Sequence, residues 1–207
     1  MTRKVLIEQI RRMLYGGVPN DDASISEKEI NVYINESLAY MAKINYTDSI
    51  KLDGVENVSD VFYLTFKNLA VLKDTDTGYY YTTLPQVPVG LARGYGISTV
   101  TFPTSTGLAK SPIPISTREL DYIDNLKQPP SKIFYWPEGK KLWFKSYTNL
   151  IGKNAIVRMV STESSALDDE LNLPQEYITD IINLVLNQLK IRKGSPEDIV
   201  NDGVDKA

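Results

Sequence analysis

Along this chain the spacing of apolar residues changes twice, and that change restricts the folds open to it. Near the N-terminus Leu6, Ile10, Met13 and Leu14 recur on one face of a 3.6-residue period. Ile30, Ile34, Leu38, Met41 and Ile44 form a second such stripe, widened by Tyr33 and Tyr40. Ile178, Ile181, Ile182, Val185, Leu186 and Leu189 form a third, near the other end. Between Val55 and Ser161 aromatic and β-branched residues dominate, broken by Gly, Pro, Asn and Asp, as in strands joined by turns. The expected class is α+β: N- and C-terminal helices forming a helical module, with an antiparallel β-sandwich-like module inserted. The expected divisions are a helical hairpin over 1–54, a β module over 55–161, a C-terminal helix completing the helical module over 162–194, and an acidic tail over 195–207.

Local signals place the helices. The first runs from Thr2 to Tyr15 and stops at Gly16-Gly17, since glycine adopts the left-handed cap conformation cheaply. The second opens on "SEKE", where Ser26 and Glu29 have capping-box spacing. The turn "GGVPNDDASI" makes these two a helical hairpin. The last helix, "LPQEYITDIINLVLNQLKIRKG", has Pro174 at its start, Glu176 and Asp180 early, and Lys190, Arg192 and Lys193 late. Gly194 ends it. All of these suit the caps and the macrodipole.

In the middle, "VFYLTFKNLAVLKD" and "GYYYTTLP" read as one hairpin. "KIFYWPEGKKLWFKS" reads as another, turning at Pro137-Glu138-Gly139-Lys140. "YGISTVTF" and "NAIVRMVS" read as single strands. "STRELDYIDNL" reads as a short helix with Ser116 capping and Glu119 completing a box. Helix is the alternative for Asp60 to Leu72, where Phe62, Phe66 and Leu69 also fit a helical face.

Composition narrows the chemistry. With no cysteine and no histidine, the chain has no disulfides, thiol nucleophiles, Ser-His-Asp triad or usual zinc ligands. The expectation is therefore a non-enzyme without cofactor or metal. The net charge of −3 argues against a general nucleic-acid grip, which needs a basic surface to displace counterions. Charges at Glu8, Arg11 and Arg12 interrupt the N-terminal apolar run, so it is not read as a signal peptide. No run approaches the roughly 20 apolar residues of a membrane span, and a soluble protein made in a cytoplasm is expected.

Each local motif has a plain structural alternative. Asp74, Asp76 and Gly78 have the D-x-D-x-G spacing of a calcium loop, but the EF-hand's sixth and twelfth positions fall on Tyr79 and Pro85. A hairpin turn with Asp side chains bonded to local backbone is the preferred reading. Tyr79, Tyr80 and Tyr81 would be a stacking platform only if strand alternation did not turn Tyr80 away from the other two. Core or subunit contact is preferred for them. "GLARGYG" over Gly90–Gly96 lacks the context of a dinucleotide or phosphate loop, as does "EGKK". "LDDEL" over Leu167–Leu171 reads as acid placed before a helix N-terminus. Arg3, Lys4, Arg11 and Arg12 line one helix, either as a solvated face or as a contact with an acidic partner. The candidate assembly surface is Tyr79, Tyr80, Tyr81, Arg11 and Arg12.

The order of these pieces is itself informative. An N-terminal helical pair precedes "V-x-x-D" and an aromatic strand ending in "LP". A "G-I-x-x-V" strand follows at Gly96, Ile97 and Val100, then the "PEGKK-x-x-F" turn at Pro137–Phe144, then the "LP-x-E-Y-I" helix at Leu173–Ile178. In that order the chain resembles the head-to-tail connector (adaptor or ring) proteins of short-tailed phages, and most of all the ring proteins of crAss-like phages. The resemblance implies a structural virion protein of the neck or tail, made in the host cytoplasm. It implies a ring of about twelve copies around the DNA channel, docked on the portal or a neighbouring ring and receiving the tail. DNA would pass through without specific binding, no membrane would be involved, and no catalytic residue carries over. Two other readings stay open. One is a β-sandwich recognising carbohydrate or a host surface through Tyr79–Tyr81 or through Trp136 and Trp143. The other is a carboxylate-based hydrolase, for which no acid pair stands out.

Overall fold

The computed structural model describes residues 1–16, 25–54, 57–92, 96–103, 111–125, 132–162, 170–171 and 173–194. Part of the "GGVPNDDASI" turn, Arg93–Tyr95 of the glycine-rich stretch, Leu167–Asp169 and the acidic tail lie outside the described residues. Two compact units divide the chain: Met1–Tyr40 with Ser164–Ala207, and Met41–Glu163. The division falls inside the second helix rather than after it.

In the first unit, α1 (Arg3–Tyr15) begins where the Thr2 side chain accepts the Val5 N–H at 3.4 Å. It ends at Gly16, whose φ of 68° is the left-handed cap predicted from the glycine pair. Leu6, Ile7 and Ile10 are buried. Met13, expected in the stripe, is 55% exposed, because it sits at the rim of the arc that Arg3, Leu6, Ile7 and Ile10 define. α2 (Glu27–Asp53) opens with the Ser26 Oγ accepting the Glu29 N–H at 3.2 Å. Its buried stripe runs Ile30, Ile34, Leu38 and Met41, then continues through Ala42 and Tyr46. Ile44 is consequently exposed, two positions off the drifting face. α4 (Gln175–Gly194) starts where the Ile178 N–H meets the Pro174 carbonyl at 3.3 Å. It buries Ile178, Ile181, Ile182, Val185 and Leu189, and packs against α1.

The second unit holds the sheets. A 3-10 turn at Asp60–Phe62 leads into β1 (Tyr63–Ala70). Then come β2 (Leu72–Lys73), β3 (Tyr80–Thr83), β4 (Ile97–Thr101) and β5 (Ile113–Pro114). A 3-10 turn at Thr117–Glu119 leads into α3 (Leu120–Asn125), followed by β6 (Ile133–Glu138), β7 (Lys141–Ser146) and β8 (Asn154–Val160). The predicted capping box is complete: Ser116 N–H donates to Glu119 Oε2 at 2.7 Å, and Ser116 Oγ accepts the Arg118 N–H at 3.1 Å.

A three-stranded sheet has the order β1-β8-β4, and a five-stranded sheet has the order β2-β3-β7-β6-β5. The first predicted hairpin is therefore corrected. Its leading strand is cut at Val71, whose N–H donates to the Lys153 carbonyl at 3.1 Å. Everything before that point pairs with β8, and only Leu72–Lys73 pairs with β3. The five-stranded sheet is mixed rather than wholly antiparallel, because β5 runs parallel to β6. The second hairpin is as expected, with a two-residue turn at Gly139-Lys140 and Gly139 at φ 57°. The sheets face each other over one core that includes Val100, Val157 and Met159 from one side and Tyr80, Leu142 and Phe144 from the other. Phe102 meets Phe144 edge-on at 5.2 Å. Every described sheet edge is irregular or short. β1 bulges between Phe66 and Leu69, with Asn68 at φ 58°, and β4 shifts register between Ile97 and Thr99. β2 and β5 have two residues each.

Candidate functional site

The tyrosine run follows strand alternation. Tyr80 is 9% exposed and belongs to the core, so among the candidate residues it is removed from any outer surface. Tyr79 and Tyr81 face outward and are half-buried. Register places Tyr81 opposite Trp143 and Trp143 opposite Trp136. The rings pack on one another. Tyr79 meets Trp136 edge-on at 5.4 Å, Tyr81 meets Trp143 at 5.3 Å, and Trp136 stacks on Trp143 at 6.4 Å with 10° between planes.

Lysines lie over these rings. Lys141 Nζ sits 4.7 Å from the Tyr81 ring centre and 5.1 Å from that of Trp143. Lys145 Nζ sits 5.8 Å from that of Tyr79. Such cation–π placements contribute on the order of 0.5–1 kcal/mol each where exposed. Burial lowers the Lys145 pKa below its usual value, with the nearby Asp121 carboxylate opposing the shift. Neither lysine was singled out in the sequence, although "KLWFKS" alternates Lys141, Trp143 and Lys145 onto one face. Trp136 is only 4% exposed, so the two tryptophans do not form an open pair for a sugar face.

The turn before this strand is a local device. Asp74 Oδ2 accepts the Thr77 N–H at 3.0 Å and its hydroxyl at 2.6 Å. Asp74 N–H donates to the Tyr79 carbonyl at 2.8 Å, and Gly78 takes φ 74°. The Thr77 hydroxyl, then the Thr77 backbone, hold the Asp74 carboxyl below its usual pKa. Asp74 is thus committed to the turn. Among the described residues no group of three or more acidic side chains is placed to hold a metal ion.

The basic helix face also resolves into specific partners. Arg11 pairs with Glu27 of α2 at 3.2 Å, and Arg12 pairs with Glu8 one turn back at 2.5 Å. Arg3 is not on a solvated face. It is buried and donates to Asn31 Oδ1 at 2.9 Å and Asn35 Oδ1 at 2.6 Å. The signal for this was the pair of asparagines at i and i+4 beside the apolar stripe of α2. Arg11 and Arg12 lie in the first unit and the tyrosines in the second. No described helix is long and apolar enough to cross a membrane.

The arrangement supplies packed aromatics, an exposed Lys141 over Tyr81 and Trp143, a buried Lys145 and a self-satisfied turn, which are materials for protein contact. No curated protein matches the chain. The model of one protein family, described as phage tail ring protein 2 of the crAss ring group, matches residues 5–206. That span includes both helical ends and the whole β module, and on it the chain belongs to the phage tail ring protein 2 family.

Proposed function

We propose that this tail ring protein is a non-enzymatic subunit of a closed ring of about twelve copies in the phage neck. In this reading one side of the ring docks on the portal or a neighbouring ring and the other receives tail proteins, while DNA passes through the channel without specific binding. The family match over residues 5–206 carries the proposal. The net charge of −3 supports it, because an acidic channel subunit repels phosphate and lets DNA slide. The outward Tyr79, Tyr81 and Trp143 support it as well, since half-buried aromatics are the usual centres of protein interfaces.

Negative-stain electron microscopy and native mass spectrometry of the purified chain, alone and with its portal, provide the test. A ring is expected in at least the second sample. A chain that stays monomeric and also leaves the portal unbound would overturn the reading.

A further inference from the structure

We propose that α3 is a releasable strap across the outer face of the five-stranded sheet, held shut by the attraction between Asp121 on the strap and Lys145 on the strand beneath. The placement follows from topology. β5 and β6 are parallel neighbours, so the chain joining them must cross one face of the sheet. The inner face is filled by Ile133, Tyr135, Leu142 and Phe144 against the opposing sheet. α3 therefore crosses on the outer face, where alternation and register put Phe134, Trp136 and Lys145. All three are buried, although they lie outside the core between the sheets. The Asp121 carboxylate is close enough to Lys145 to act on its charge, which brings the strap over that strand.

The hold on α3 is thin. Ile123 is buried and Leu120 half-buried, while Asp121 and Tyr122 are exposed. A helix of six residues does not hold itself, so its order depends on the Ser116–Glu119 box and on what lies beneath it. What lies beneath includes a charge where an apolar side chain would grip more firmly. Burying the Lys145 ammonium costs free energy, which Asp121 and the Tyr79 ring at 5.8 Å offset in part. A small apolar contact with a charged clasp is the pattern of a segment that opens locally, well before the fold is lost. The strap is tied at both ends. Before it, the Ile115 N–H donates to the Tyr135 carbonyl at 2.9 Å, and after it the chain enters β6. Opening thus lifts α3, uncovers Phe134 and Lys145, and leaves the strand order intact. The device stands whether or not copies close into a ring.

Native-state amide exchange on the full chain, followed through a urea series below the unfolding transition, provides the test. The amides of Leu120–Asn125 are expected to exchange through a local opening that urea barely alters, at least about a hundredfold faster than those of β6 and β7. Asp121→Asn should speed that exchange about fivefold and leave β6 and β7 unaffected. Lys145→Met should slow it, since an apolar side chain replaces the buried charge. In the Lys145→Met chain, Asp121→Asn should then have less than about a twofold effect, because the charge it answered is gone. Lys145 itself reports the uncovering. Its Nζ is buried in the closed form, so reductive methylation in native buffer should reach it well after the exposed Lys141. Exchange of α3 only together with the whole β unit would overturn the proposal. So would an Asp121→Asn effect that is absent, or equal in both backgrounds, and so would methylation of Lys145 only where the chain is unfolded.

Discussion

Gly96 shows how much one missing side chain can matter. Its carbonyl accepts the Val160 N–H at 2.7 Å, while Val89 N–H donates to the Val160 carbonyl at 2.9 Å, so three stretches of backbone meet there. A Cβ on Gly96 would stand 2.2 Å from the Val89 carbonyl oxygen, which is backbone and cannot swing aside. Gly96→Ala is therefore expected to destabilise the β unit by about 3 kcal/mol, seen as a lower urea midpoint with an unchanged slope. The "G-I-x-x-V" pattern marked Gly96, but not the reason for a glycine there, because the crowding comes from the way the chain folds back to bring the Val89 carbonyl against it. Tyr80 is the contrasting case. Its separation from Tyr79 and Tyr81 followed from strand alternation alone, a property of the nearest neighbours, whereas which side is buried is set by the opposing sheet.

At the scale of elements, what was legible in the sequence was whatever is settled within a few residues. The Ser116–Glu119 box, the Gly16 cap and the Gly139-Lys140 turn each depend on side chains and backbone close together in sequence. Ser116→Ala should remove about 1 kcal/mol from the local stability of α3, measurable as faster amide exchange over Leu120–Asn125 with little change elsewhere. What could not be read was partner choice. The stretch from Tyr63 to Lys73 looks like one strand, and its two parts pair with strands that follow at very different distances, β8 and β3. The same limit hid Lys141, which lies over the rings only because register sets Trp143 and Tyr81 beside it. The Arg3 pocket was missed for a third reason, since a basic residue at a helix start ordinarily reads as solvated.

For the whole molecule, stability at alkaline pH has a definite sign. Burial pushes the Tyr135 phenol up to about 12 from 10.0. The unfolded chain loses this proton near pH 10 and the folded chain holds it to about 12. The contribution is thus fully present below 10 and is lost as pH rises through that window, about 3 kcal/mol in all. Burial raises Tyr63 as well, against the lowering influence of the Val58 backbone and Arg158, so it adds to the same loss. Lys145 works in the opposite direction, its contribution improving as pH climbs toward 10.5. Denaturant midpoints followed across the window should fall for the native chain and fall less for Tyr135→Phe.

The irregular sheet borders bear on a hazard peculiar to a protein needed in many copies at once. A long, flat border strand invites another chain to add to it by main-chain hydrogen bonds, and such addition has no natural end. Here the two longer border strands, β1 and β4, are kinked by an extra residue, and the two remaining borders stop after two residues. Polymerisation through the sheets is thereby disfavoured. Under the ring reading proposed above, the same borders would leave a subunit free for contacts that close on themselves.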